Sequence, residues 1–210
     1  MEIVEFLDKA GLPVLILLFY VIVYIYRNKI FRTIKKRLKN KDQIDSLKLL
    51  ASNFKFKIGN WWYSVIFSMI IAIIMDIIII LIFKIPMKPY SEPLWFAIIF
   101  RSLFNPVSEE VLIRGFIFGA FFLTIFKLVE KLRKRPFNPT FLRGWIVVAL
   151  FLQTYIFASS HENPALFNWT IRLSSGILYG LLYLLHKRNL LPPVVAHITH
   201  NLVITLTEIV

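Results

Sequence analysis

The stretch Trp61-Trp-Tyr-Ser-Val-Ile-Phe-Ser-Met-Ile-Ile-Ala-Ile-Ile-Met-Asp-Ile-Ile-Ile-Ile-Leu-Ile-Phe83 is apolar at nearly every position and does not alternate polar with apolar residues. About 20 such residues carry a helix across the hydrocarbon core, whereas a spanning strand shows roughly ten-residue segments of alternating polarity. The segment therefore reads as a transmembrane helix and excludes a barrel. Further apolar runs lie at about Leu12 to Tyr26, Pro93 to Phe126, Gly144 to Ser160, Ala165 to Leu185 and Pro193 to Thr207, and 58% of the chain is hydrophobic. The expected fold class is all-α, a polytopic transmembrane bundle of about six to seven membrane helices.

The run from Pro93 to Phe126 exceeds one straight crossing, and Asn105-Pro106 falls inside it. Proline lacks an N–H and clashes with the preceding turn. The sequence thus predicts a short membrane-entering helix from Leu94 to Phe104, a break, and a second helix from Val107. Ser108 would cap that second helix, with Glu109 and Glu110 in its first turn.

Charge gives an orientation. Of 25 Lys and Arg residues, eleven lie between Arg27 and Lys57, six between Lys127 and Arg143, and two at Lys187-Arg188. These alternate loops are expected to be cytoplasmic, with both termini outside. The net charge of +13 follows from this topology and from attraction to anionic lipid headgroups, without nucleic-acid binding. Ile30, Phe31, Ile34 and Leu38 recur at helical spacing among basic residues, which fits an amphipathic helix on the inner membrane surface or a solvated basic loop. The start of the chain lacks a positive leader and a small-residue cleavage site, so the first apolar segment is expected to be retained. Zero cysteines exclude disulfides, thiolate metal sites and a cysteine nucleophile. One integral-membrane domain, 1–210, is expected, with N-terminal spans and the basic loop in 1–92 and a motif-bearing core in 93–210.

Three polar islands interrupt the apolar segments: Glu109-Glu110-Val-Leu-Ile-Arg114, Phe157-Ala-Ser-Ser-His161 and His197-Ile-Thr-His-Asn201. Charges inside a bilayer cost about 2.5–3.5 kcal/mol each on insertion scales, so they mark functional sites by default. Glu110 and Arg114, four apart, can pair on one helix face, which frees Glu109, about 100° away, to act as a general base. The alternative is a structural cluster that locks helices together. His197 and Asn201 share a face and can donate to one developing oxyanion, or serve as interhelical hydrogen bonds. His161, alone at a span boundary, reads more readily as an interfacial residue than as a catalyst. A metal site is not expected, because no His-Glu-x-x-His helix is present and a carboxylate beside an arginine is a poor ligand. Asp76 and Arg172 are candidates for a structural intramembrane pair, and Gly115 with Gly119 and Gly176 with Gly180 for close helix packing.

The ordered set Glu109-Glu110-x-x-x-Arg114, Phe157-x-x-x-His161 and His197-x-x-x-Asn201 resembles the CPBP family, the CAAX prenyl proteases and bacteriocin-processing enzymes also called the Abi family. The resemblance implies a metal-independent intramembrane endopeptidase without cofactor. Glu109 would activate water, His161 would help hold it, His197 and Asn201 would stabilise the oxyanion, and Glu110 with Arg114 would support the site. Its substrate would be a hydrophobic or membrane-bound peptide or a lipidated CAAX protein, and its location a prokaryotic plasma membrane. The readings set against this are a non-enzymatic immunity or scaffold protein, a metal-dependent protease, and a transporter, for which no matching interrupted halves are seen. The simple topology places His161 near the outer face and His197 near the inner one, although a shared site needs them together.

Overall fold

The computed structural model of the protein describes residues 52–54, 56, 61–83, 93–161 and 166–207. The span expected at Leu12 to Tyr26 and the amphipathic segment around Ile30 to Leu38 lie outside the described residues. Among the described residues, a 3₁₀ turn at Ser52–Phe54 is followed by five helices: α1 (Trp61–Phe83), α2 (Leu94–Arg133), α3 (Pro139–Ser159), α4 (Leu166–Leu185) and α5 (Leu191–Thr207). Among the described residues there is no strand. By length and composition α2 and α3 are long and apolar enough to cross a membrane.

The expected break at Asn105-Pro106 is not there. The helix runs through it, and Ser108, instead of capping, turns its hydroxyl back onto the Asn105 carbonyl at 2.8 Å. Glu109 and Glu110 consequently sit in the middle of a 40-residue helix. The proline is accommodated by wide turns: hydrogen bonding is of the i→i−5 kind over Ala97–Phe104 and Val111–Thr124, and the Asn105 N–H donates to the Phe100 carbonyl. In this register the carbonyl that Pro106 cannot serve is that of Arg101, which accepts from Asn201 Nδ2 at 2.9 Å instead, and such π-type turns are frequent at functional sites. Ser102 and Thr124 stabilise them by donating to the carbonyls five residues back, Ala97 and Gly119, at 3.2 and 2.8 Å. The helix ends where Lys134 takes a left-handed φ of 53°, with Lys131 and Arg133 in the last turn facing the negative dipole end. Asn138 then caps α3 by accepting the Thr140 N–H at 2.8 Å, with Pro139 in the first turn.

Polarity is distributed inside out. Ser102, Glu110, Arg114, Gln153, His197 and Thr205 are buried, while Ile66, Phe67, Ile70, Phe121, Val147 and Phe151 are exposed. Large exposed apolar faces are unfavourable in water and natural against hydrocarbon. Among the described residues the apolar interior forms two clusters, one around Val111, Phe118, Ala149, Leu150 and Tyr183 and the other around Ile113, Phe157, Tyr179, Leu182 and Ala196. They flank the polar residues of α2.

Polar ties set the depth of α5 against antiparallel α2. Thr124 meets Arg188 at 3.4 Å, Glu110 meets His197 at 2.9 Å, the Arg101 carbonyl accepts from Asn201 at 2.9 Å, and Ser102 meets Thr205 at 2.9 Å. The turn between α4 and α5 is strained, since Lys187 and Arg188 have φ of 55° and 63° without being glycine. Asn53 holds it in place: its Oδ1 accepts from Arg188 at 2.9 Å, its Nδ2 donates to Thr124 at 2.8 Å, and its carbonyl accepts from Tyr183 at 3.0 Å. Because this turn is anchored at Thr124, short of the end of α2 at Arg133, α5 starts inside the bundle. His197 therefore reaches the level of Glu110 in the second turn of α5.

Candidate active site

Glu110 and Arg114 form the buried base of the site. Arg114 Nη1 donates to Glu110 Oε1 at 2.9 Å, and both side chains are inaccessible to solvent. The pairing expected from their spacing is thus present. Arg114 Nη2 donates to the Gly176 carbonyl at 3.3 Å, and Gln153 Nε2 donates to that same carbonyl at 3.0 Å. A side chain at Gly176 would meet Thr154 Cγ2 at 3.0 Å and Phe157 Cδ1 at 3.2 Å, so glycine allows α3 and α4 to approach closely here. The guanidinium also lies over the Phe157 ring, 4.4 Å from its centroid, and 5.4 Å from that of Tyr179.

His197 is held on three sides. It stacks on Tyr179 at 4.8 Å, meets Phe157 edge-on at 5.7 Å, and places Nδ1 2.9 Å from Glu110 Oε1. With Glu110 ionised beside Arg114, Nδ1 carries the proton and donates it, and Nε2 turns a lone pair towards Glu109. His161 is set the same way in the turn after α3. Its Nδ1 lies 2.9 Å from the Phe157 carbonyl, which only accepts, so Nε2 again presents a lone pair. Burial lowers the His161 pKa, with Arg172 and Arg114 adding to the effect against the Phe157 hydrogen bond.

Glu109 lies between the two rings. Its Oε2 is 3.8 Å from His161 Nε2 and 3.7 Å from His197 Nε2. These separations exceed direct hydrogen bonds, and Oε2 has no hydrogen-bond partner among the described residues. The Glu109 side chain is about a third exposed (32%) and, with Asn201, lines a cavity of about 310 Å³, while Oε2 itself is buried. Asn201 gives one amide N–H to the Arg101 carbonyl, which leaves the second for a group in the cavity. The structure therefore brings His161 and His197 together at Glu109 in spite of their predicted opposite depths. Among the described residues no group of three or more His, Cys, Asp or Glu side chains is placed to hold a metal ion.

Arg172 sends Nη1 to the His161 carbonyl at 3.3 Å and lines the cavity. The Asp76 side chain proposed as its partner lies outside the described residues. Tyr179, which cradles both His197 and Arg114, was not foreseen, because an isolated tyrosine in an apolar helix carries no signal beyond core packing.

Fold and site together define a helical membrane protein with a carboxylate–imidazole centre in a polar cavity. The sequence model of the type II CAAX prenyl endopeptidase Rce1-like family matches residues 91–203, more than half of the chain, and the chain belongs to that family. The matched region contains Glu109, Glu110, Arg114, His161, His197 and Asn201, and the resemblance drawn from the motifs is borne out. It is a protease family of membrane proteins. No curated protein and no solved structure matches the chain.

Proposed function

We propose that the protein is a multi-pass intramembrane endopeptidase of the glutamate type, with 93–210 as its catalytic core. The observation that carries this reading is the Glu109 carboxylate held 3.7–3.8 Å from two imidazole nitrogens that present lone pairs to it. Glu109 takes a proton from a water that enters the cavity beside it, and the hydroxide attacks the scissile carbonyl. Glu109 passes that proton to His197 Nε2, which makes the ring a donor, and with the second Asn201 N–H it stabilises the oxyanion. Glu110 and Arg114 fix the His197 ring. The leaving amine collects the proton taken by Glu109.

The substrate class that the cavity and the family support is a membrane-associated peptide, prenylated or otherwise hydrophobic, and the location is a prokaryotic plasma membrane with about six to seven crossings. Hydrolysis of prenylated and unprenylated peptides by wild type and Glu109→Gln in nanodiscs, with and without chelator, tests it. Product from wild type alone that persists with chelator is expected. Loss with chelator supports a metal-dependent reaction, and equal behaviour of the two proteins supports an immunity or scaffold role.

A further inference from the structure

We propose that Pro106 is a positioning residue for the hydrolysis: by withholding an N–H from the Arg101 carbonyl it orients the Asn201 carboxamide for the oxyanion; this rests on the peptidase reading. Pro106 is buried in the middle of α2, three residues before Glu109. A proline inside a helix leaves one backbone carbonyl without its donor, and a carbonyl so placed must be served from elsewhere. The register of the turn identifies which one. The Asn105 N–H passes over Arg101 and donates to the Phe100 carbonyl, five residues back. In that register residue 106 would donate to Arg101, and proline has no N–H to give. The donor comes instead from α5, where Asn201 Nδ2 lies 2.9 Å from the Arg101 carbonyl across 100 residues of sequence.

What the freed carbonyl decides is which end of the carboxamide faces it. The oxygen and nitrogen ends of an asparagine are nearly equal in size, so packing alone distinguishes them poorly, and the hydrogen-bond partner makes the choice. A carbonyl only accepts. With the ends of Asn201 exchanged, two oxygens would face each other, so Nδ2 is selected and its second N–H is left for a group in the cavity that Asn201 lines with Glu109 and His197. An N–H at position 106 would compete for the same carbonyl and weaken that selection. The backbone beneath Asn201 is held separately: Ser102 Oγ meets Thr205 Oγ1 at 2.9 Å and lies 3.3 Å from the Asn201 carbonyl. These contacts involve no group of Pro106, so a change there should move the Asn201 amide and leave α5 at its depth.

The test replaces Pro106 by alanine, which brings an N–H, and by lactic acid, whose ester linkage keeps the shape of alanine without the N–H. Wild type, both replacements, Asn201→Ala and the double variant Pro106→Ala with Asn201→Ala are assayed on a hydrophobic peptide in nanodiscs. An oxyanion donor is worth about 10²–10³ in kcat, so a poorly oriented one should cost Pro106→Ala about tenfold or more in kcat with KM unchanged. Its unfolding midpoint should be equal or higher, because alanine is the better helix residue. The ester should stay close to wild type, and on the Asn201→Ala background the change at 106 should add no further loss. Full kcat in Pro106→Ala, an ester as slow as alanine, or a further loss on the Asn201→Ala background overturns the proposal and leaves the peptidase reading intact. The side-chain amide ¹⁵N resonance of Asn201, assigned by its absence in Asn201→Ala, reads the orientation without catalysis. It should shift in Pro106→Ala and not in the ester. An unshifted resonance in Pro106→Ala overturns the proposal, whereas the expected shift in a protein that cleaves no peptide supports the anchoring of Asn201 and refutes the peptidase.

Discussion

Replacing Arg114 with methionine keeps an unbranched apolar stem and removes everything polar the side chain does. The charge-assisted bond to Glu110 at 2.9 Å contributes about 1.5–3 kcal/mol. The desolvated guanidinium over Phe157 at 4.4 Å contributes up to about 2 kcal/mol. Their loss, with Glu110 left buried beside His197, gives an expected cost of about 3–5 kcal/mol, the range found when one partner of a buried pair is removed. For a chain of this size that lowers the unfolding midpoint by roughly 6–20 °C. Glu110→Gln keeps the shape and removes the charge, so it too should destabilise. The double variant strips both partners, and its cost should fall short of the sum of the singles by about 1–3 kcal/mol. The assay is unfolding in mixed micelles with a rising SDS fraction, followed by tryptophan fluorescence. A double variant that costs as much as the two singles added, or an Arg114→Met loss under about 1 kcal/mol, would refute the coupled pair.

Three further outcomes are expected. Gly119→Ala places a Cβ against the Tyr183 hydroxyl, and 2.9 Å from both the Arg114 carbonyl and Asn53 Cβ, which should cost about 1–3 kcal/mol; Gly144→Ala meets nothing within 4 Å and should be neutral or gain up to about 1 kcal/mol. Thermal unfolding of the two variants side by side decides the matter, and equal effects would contradict the packing described. Arg188→Met releases the strained α4–α5 turn from Asn53 and Thr124, so protease nicking between α4 and α5 should rise while α3 stays protected; unchanged nicking would show that the turn holds itself. Burial lowers the His161 pKa from 6.5, so the folded state binds fewer protons there than the unfolded chain. The stability this contributes is fully present above pH 6.5 and is lost as the pH falls through the lowered value. Histidine-selective NMR should find a His161 midpoint below 6.5, and one at or above it contradicts the burial argument.

Helical class and site chemistry were legible in the sequence for different reasons. An unbroken apolar run such as Trp61–Phe83 leaves the backbone no partner but itself, which dictates a helix whatever packs around it. Glu110 and Arg114 are four apart, so local geometry sufficed to pair them, and the order of the three motifs pointed to the protease family. The break at Asn105-Pro106 was misjudged because proline's cost was weighed against an isolated α-helical ladder, whereas in the wide turns of α2 the carbonyl left without a donor, that of Arg101, is served by Asn201 from α5.

Tertiary structure alone decided the rest. That His161 and His197 meet at one carboxylate depends on how far into the bundle α5 begins. The anchoring of the α4–α5 turn by Asn53, Thr124 and Arg188 sets that depth, and these residues are distant in sequence with no shared period. The tautomers of both rings follow from the acceptors opposite them, the Phe157 carbonyl and Glu110. Periodicity reports which face of a helix is apolar, whereas the relative depth of two helices is set by contacts between them, and the site depends on that depth.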